Sequence, residues 1–184
     1  GRHQLENAAA AVTALEVLGV NREAIVEGLA KVKWPGRMEV LRRAPLLVTD
    51  GAHNGDSARR LVEALREYFT FDRSILVIGT SADKNSVSMV AEFVPFFDRV
   101  IVTASEHPRA SSPAQLAAEF ARHGIRVRET NSVPEALEQA LDGAGAGDLI
   151  CATGSLFVVA EVIEYIKGIR GERYPETKVP PRGS

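Results

Sequence analysis

Val48-Thr49-Asp50-Gly51-Ala52-His53-Asn54-Gly55 is the stretch whose reading decides the fold. The apolar run Leu46-Leu47-Val48 ends in an acid, a glycine, an imidazole and an amide, and a helical pattern begins at once after them. In parallel α/β sheets the ligand crevice lies at the carboxyl ends of the strands. Asp50 and His53 would then face that crevice together. The carboxylate can accept hydrogen bonds from hydroxyls or orient a cation, and the imidazole can donate to a phosphate or pair with the acid. Asp, Asn and Gly are also common before helices for purely structural reasons, so a plain helix cap fits the same residues.

Downstream, apolar strands and amphipathic helices alternate. A helix from about Ser57 to Phe69 carries Ala58, Leu61, Val62, Leu65 and Phe69 as one stripe. Ser74 to Gly79 is a continuous apolar strand, as expected where helices cover both faces of a sheet. A helix to about Phe93 follows, then a strand from Arg99 to Thr103. Ser112-Pro113-Ala114-Gln115 reads as a capping box with Pro at the first helical position, opening a helix to about His123, where Gly124 stops it. Ile125 to Glu129 reads as a shorter, polar strand near an edge. Ser132 to Glu135 reads as a second capping box, opening a helix to about Leu141. Asp148 to Ala152 is the last strand, and Thr153-Gly154-Ser155 opens a helix with Val158, Val159, Val162, Ile163 and Ile166 on its apolar face.

Upstream, Arg37 to Arg43 reads as a strand joined through Ala44-Pro45 to the strand Leu46 to Thr49. Before it, Gln4 to Leu18 is alanine-rich and helical, and Asn21 can cap a second helix in which Ile25, Leu29 and Val32 recur. Trp34-Pro35-Gly36 breaks that pattern and marks a domain boundary. The expected fold is α/β: a Rossmann-like sheet of about six mostly parallel strands with helices on both faces, preceded by two helices. Residues 1–36 form the leading helices and linker, 37–170 the sheet domain, and 171–184 a loose tail whose Pro180-Pro181-Arg182-Gly183-Ser184 resembles a protease-site remnant.

The chain has 184 residues, 45% hydrophobic and 25% charged, which fits a soluble globular domain with an appendage. Its formal net charge of -2 implies no nucleic-acid or membrane attraction. The single cysteine, Cys151, excludes an intramolecular disulfide and a cysteine-cluster metal site, and its apolar surroundings point to an inert core thiol. No apolar run approaches the ~20 residues of a membrane span and no signal peptide opens the chain, so the cytoplasm is expected. Gly1-Arg2-His3-Gln4 runs straight into a helix with no initiating methionine, which suggests part of a longer protein.

The strand ends on the crevice edge gather Asp50 and His53, then Ser81, Asp83 and Lys84, then His107 and Arg109, then Ser155. Lys84 suits a carboxylate or phosphate, since a cation at a helix start opposes the helix dipole. Ser155, after Gly154, can offer its hydroxyl and helix N-terminal N–H groups to an anion, or simply cap the helix. Arg37 can reach a phosphate with its fork of donors, or lie on the surface. His107 and Arg109 can touch a ligand or be solvated in their loop, and Asn7 can contact a ligand or merely start a helix. His123 reads as a helix C-terminal cap. Neither G-x-G-x-x-G after a strand nor the phosphate-cradling G-x-x-x-x-G-K-[ST] occurs, and no G-x-S-x-G nucleophile elbow or Cys/His metal spacing is present.

Five segments in order carry a family resemblance: Gly1-Arg2-His3-Gln4-Leu5-Glu6-Asn7-Ala8-Ala9, Trp34-Pro35-Gly36-Arg37-Met38-Glu39, Asp50-Gly51-Ala52-His53-Asn54, Gly79-Thr80-Ser81-Ala82-Asp83-Lys84 and Gly154-Ser155-Leu156-Phe157. Together they resemble the Mur ligase superfamily, in its folylpolyglutamate synthase/dihydrofolate synthase branch, over nearly all of residues 1–168. The resemblance implies the C-terminal domain of an ATP-dependent ligase that joins L-glutamate to a folate or dihydropteroate carboxylate through an acyl phosphate. The P-loop and the Mg ligands would belong to an N-terminal ATPase domain, to which the leading helices also belong, and the parent would be a monomer. By resemblance, Asn7, Arg37 and Asp50 contact ATP, His53 and Asp50 serve the chemistry, and Lys84, Ser155 and Ser81 hold glutamate. Gly55 departs from the pattern, since many relatives have Pro there, and Asp56 has no assignable role. A peptidoglycan-type Mur ligase domain and a non-catalytic nucleotide-binding module of Rossmann-like shape remain open alternatives.

Overall fold

The computed structural model describes residues 2–82, 86–169 and 171, with Arg2 and His3 as backbone only. Helices α1 (Arg2–Val17) and α2 (Arg22–Lys31) lead the chain. Strands β1 (Glu39–Arg43) and β2 (Leu46–Thr49) then form a hairpin, and βα units follow: α3 (Gly55–Tyr68), β3 (Ser74–Ile78), α4 (Ser86–Phe93), β4 (Arg99–Val102), α5 (Pro113–Arg122), β5 (Arg128–Glu129), α6 (Val133–Asp142), β6 (Leu149–Thr153) and α7 (Leu156–Lys167). The strands make one six-stranded sheet in the order β1-β2-β6-β3-β4-β5. Only the β1–β2 pairing is antiparallel; β2–β6, β6–β3, β3–β4 and β4–β5 are parallel. This is the expected α/β architecture.

Alternation along the strands divides the core. Val48, Leu76, Ile78, Val102, Leu149 and Cys151 face α3, α4 and α5, with Leu61, Leu65, Phe93 and Phe120 packed against them. Leu47, Val77, Ile101, Ile150 and Ala152 face the other way, against Leu137 of α6 and Val158 and Val162 of α7. Burying each of the Val, Leu, Ile and Phe side chains completely stabilises the fold by about 1.5–3 kcal/mol. β6 lies between β2 and β3, yet the chain leaves β6 toward α7 on one face and leaves β2 and β3 toward α3 and α4 on the other. The carboxyl ends of these central strands therefore form a topological switch point, where a crevice opens.

Glycines let the central loops close up. Gly154 sits at φ 100°, and a Cβ there would lie 2.5 Å from the Gly79 carbonyl oxygen. Gly55 opens α3 against α4: a Cβ would stand 2.7 Å from Cβ of Ser88, which accounts for a residue without a side chain at this position. Asp56, in the first turn of α3, pairs with Arg59 and Arg60 at 2.7 and 2.9 Å, a surface role.

Several local expectations change. β1 starts at Glu39 because Met38 adopts φ 46° and cannot continue a strand. α3 starts at Gly55 rather than Ser57, since Asn54 caps it by accepting the Ser57 N–H at 2.8 Å. Ser112 makes no side-chain cap bond, so Pro113 alone marks the start of α5. Ser132 accepts the Glu135 N–H at 3.4 Å, while the Glu135 carboxylate accepts from Asn131 rather than completing a box on Ser132. The strand expected over Ile125 to Glu129 shrinks to β5, because only Arg128 and Glu129 find partners, on Ile101 and Val102. On α2, Ile25 is buried but Leu29 is exposed, and so is Val32, which follows the helix as its C-cap. Cys151 is fully buried, and burial pushes its thiol well up, as suits an inert core residue. Among the described residues, no helix is long and apolar enough to cross a membrane.

Candidate functional site

Asp50 directly follows β2 and is almost buried, at 8% exposure, with both its oxygens engaged by backbone. Oδ1 accepts the Ala52 N–H at 2.9 Å, and Oδ2 accepts the Met38 N–H at 3.0 Å. The Gly51 N–H donates to the Gly36 carbonyl at 2.9 Å. The loop after β2 thus ties down the turn at Gly36 to Met38. It holds Met38 in the left-handed region, a conformation that costs a non-glycine residue of order 1–3 kcal/mol. The tie aims Arg37 back over the loop: a Cβ on Gly51 would stand 2.7 Å from an Arg37 guanidinium nitrogen. A carboxylate that accepts these bonds acts first as a brace for Arg37.

His53 is half-buried at the start of α3, at the mouth of the crevice rather than in the core. Its Nδ1 lies 2.9 Å from the Gly51 carbonyl oxygen. A carbonyl can only accept, so Nδ1 carries the proton and Nε2 is left to face a ligand.

Two cavities open here. One, of about 240 Å³, is lined by Gln4, Asn7, Trp34, Arg37, Asp50 and His53, with α3 residues behind them. It brings Asn7 of α1 together with Arg37 and Asp50, residues distant in sequence. The second, of about 330 Å³, is lined by His53, Ser81, Arg109, Ser155, Leu156 and Phe157, together with Gly154. Among the described residues its charged side chain is the exposed Arg109, joined by the start of α7, where the Ser155 hydroxyl accepts the Phe157 N–H at 3.2 Å. Among the described residues, no carboxylate lines this second cavity. A cation, hydroxyls and a helix N-terminus suit an anionic group. Lys84 and Asp83 lie outside the described residues.

Arg109 owes its place to stitching between the loops after β3 and β4. The Ala82 N–H donates to the Arg109 carbonyl at 2.8 Å, and the Ser111 N–H donates to the Thr80 carbonyl at 2.8 Å. His107 stacks on Phe157 with ring centroids 3.6 Å apart and planes 12° from parallel, so it is not simply solvated. The Glu106 N–H donates to the Glu161 carboxylate of α7 at 2.7 Å. Burial pushes the Glu161 carboxyl up to about 7; the Glu106 N–H works against the shift, and the nearby Glu106 and Glu164 charges add to it. Glu161, Phe157 and Trp34 are residues that sequence reasoning did not single out for the site. Glu161 carries no local signal, because only the return of the 104–110 loop onto α7 buries it. Among the described residues, no group of three or more His, Cys, Asp or Glu could hold a metal ion.

The profile of the family "Mur ligase, glutamate ligase domain" matches residues 36–156. Over 163 residues the chain is 40% identical to the Halobacterium salinarum "Probable bifunctional folylpolyglutamate synthase/dihydropteroate synthase", covering 88% of this chain and 20% of that protein. Mycobacterium tuberculosis folylpolyglutamate synthase complexed with ADP superposes with a TM-score of 0.82 at 29% identity, over 94% of this chain and 41% of that one. A bifunctional folylpolyglutamate synthase/dihydrofolate synthase with Mn, AMPPNP and L-glutamate bound gives 0.73 at 31% identity, over 84% and 38%. The chain thus spans a fifth to two fifths of the length of these relatives.

Proposed function

The chain belongs to the family of the Mur ligase glutamate ligase domain, and from that premise we propose that it is the C-terminal domain of an ATP-dependent amide ligase adding L-glutamate to a folate or dihydropteroate carboxylate. The observation that carries the reading is that His53 lines both cavities. A ligase must hold a polyphosphate and an anionic amino acid side by side, within reach of one acyl group. In this reading Asn7, Arg37 and Asp50 take the nucleotide, with the Arg37 fork on a phosphate and the braced Asp50 on the ribose side. The second cavity takes glutamate: Arg109 and Ser81 meet one carboxylate and the Ser155 helix start another, with Lys84 as a further cation for the same substrate.

The chemistry needs two steps. The substrate carboxylate takes the γ-phosphoryl group of ATP, giving an acyl phosphate and ADP. The neutral amine of glutamate then attacks the acyl carbon, and phosphate leaves as the amide forms. His53, with Nδ1 tied to Gly51, presents Nε2 where it can take the proton from the amine. The P-loop and the Mg ligands belong, in this proposal, to the ATPase part of the full-length protein, and so do the leading helices of this chain. Residues 1–36 and 37–170 accordingly act as linker and closing domain, and by itself the chain turns over no ATP.

The test is steady-state kinetics of the full-length protein with a folate or dihydropteroate acceptor. Arg109→Ala should raise the KM for glutamate at least about tenfold, the cost of one charge-assisted contact, with the KM for ATP nearly unchanged. Arg37→Ala should do the reverse. Equal effects of Arg109→Ala on both substrates, or none on either, would refute the assignment of the second cavity.

A further inference from the structure

Glu161 stands where a carboxylate is costly. It lies half-buried on α7, and it is not among the residues that line either cavity. Burial disfavours its charged form, and the nearby Glu106 and Glu164 charges disfavour it further. A methionine would fill much the same space without that cost. What the carboxylate offers is an acceptor: its Oε1 takes the Glu106 N–H at 2.7 Å. The backbone does not need that bond to be satisfied, since Glu106 is exposed and its N–H can turn to water. What the bond does change is the placement of the loop that makes it.

That loop is held from two sides. On α7, Phe157 and Glu161 are four residues apart and share one face. Val158 and Val162 beside them are buried against the sheet, so α7 is a fixed support. Phe157 takes the His107 ring as a stack with centroids 3.6 Å apart, and Glu161 takes the Glu106 N–H. Two successive loop residues therefore rest on two successive turns of the helix. From there the chain has little freedom before Arg109. The Arg109 N–H donates to His107 Nδ1 at 3.1 Å, and the Ala110 N–H donates to the His107 carbonyl at 2.8 Å. On the other side, the Ala82 N–H holds the Arg109 carbonyl. Arg109 is suspended between the two supports, and the backbone on both sides of it sets where its guanidinium stands.

We propose that Glu161 is a positioning residue for the second cavity: by holding the Glu106 N–H it seats the 104–110 loop on α7 and so fixes where the Arg109 guanidinium stands. The proposal rests on the reading of that cavity as the glutamate site and adds to it a residue that touches no substrate. Position counts because a charge-assisted hydrogen bond forms only over a narrow range of distance and angle. A loop that drifts from α7 still carries its arginine, but ordering the guanidinium again at the moment of binding weakens the affinity.

The experiment uses the full-length protein with a folate or dihydropteroate acceptor, as wild type, Glu161→Met, Glu161→Gln, Arg109→Ala and the double variant Arg109→Ala/Glu161→Met. Glu161→Met should unfold in urea no earlier than wild type. It should nonetheless raise the KM for glutamate about threefold or more, the worth of one lost hydrogen bond, with kcat and the KM for ATP nearly unchanged. Glu161→Gln, which removes the charge as Glu161→Met does but keeps an acceptor oxygen, should stay near wild type. In the Arg109→Ala background Glu161→Met should add nothing, because the side chain that Glu161 positions is already gone. If Arg109→Ala raises the KM for glutamate while Glu161→Met matches wild type, the positioning role is refuted and the glutamate reading stands. A loss that multiplies in the Arg109→Ala background refutes the role as well. So does a Glu161→Met variant that fails to fold or loses ATP and glutamate alike, since Glu161 is then structural. If Arg109→Ala changes neither KM, both the role and the glutamate reading are refuted.

Discussion

Replacing Glu161 by glutamine should remove most of a pH dependence of stability that runs opposite to ordinary acid denaturation. Glu161 has its carboxyl pushed up to about 7 by burial, against an ordinary value of 4.5. Between those two values the folded chain holds a proton at Glu161 that the unfolded chain has released. Stability therefore falls as pH rises. The contribution is fully present below about 4.5, is lost as pH climbs through about 7, and is flat above. A shift of that size would be worth about 3 kcal/mol for a fully buried group. Glu161 is only half-buried, and solvent screening reduces the expected value to about 1–2 kcal/mol. Glutamine keeps an oxygen for the Glu106 N–H and cannot ionise. Urea unfolding of the chain and of Glu161→Gln from pH 4.5 to 8 should give midpoints that converge at the acid end. At the alkaline end the variant should be the more stable. Asp148, Asp56 and Glu39, whose carboxyls lie below their ordinary values, act in the opposite direction at lower pH and cancel in the difference between the two proteins. Parallel midpoint curves across the whole range would refute the argument.

Two further outcomes follow from backbone geometry. Gly154→Ala should cost about 2–4 kcal/mol in urea unfolding, because φ 100° and the Gly79 carbonyl oxygen 2.5 Å away both resist a Cβ; a loss under about 0.5 kcal/mol would show that the two loops can part. Asp50→Ala should cost about 2–4 kcal/mol, since the Met38 and Ala52 N–H groups both lose their acceptor. Asp50→Asn, which keeps one acceptor oxygen, should lose about half as much, and an asparagine variant as stable as wild type would remove Asp50 as the brace of the turn.

The fold was legible where burial forces a pattern. β3 and β6 are continuous apolar runs because helices cover both their faces, and α3 buries Ala58, Leu61, Val62 and Leu65 of its expected stripe, while Phe69 falls just beyond the helix and Ala64 is buried as well. What escaped was set by partners remote in sequence. Ile125 and Val127 alternate like a strand and do pack on the core, yet only Arg128 and Glu129 pair with β4. Met38 alternates with Val40, but the carboxylate of Asp50, twelve residues on, turns its backbone over. At the site, Asp50, Arg37 and Asn7 could be picked out singly, and resemblance grouped them; the brace that makes Asp50 structural as well as polar lay in three dimensions only. Arg109 was one of two plausible loop residues until the stitching of the loops after β3 and β4 put it in a cavity wall.

His53 forms part of the wall of two cavities at once, and that has a thermodynamic corollary. Two occupants that press on one side chain cannot have independent affinities, unless the ring answers both in the same posture. If the two cavities take a nucleotide and an amino acid as proposed, whatever factor one applies to the binding of the other must be returned, because the coupling free energy belongs to the pair and not to either site. With Nδ1 moored to Gly51, the ring has little room to swing, so the sign and size of that coupling are set by what Nε2 can share between its two neighbours. A single imidazole would then do the work of a message passed between sites, with no subunit rotation and no hinge needed to carry it.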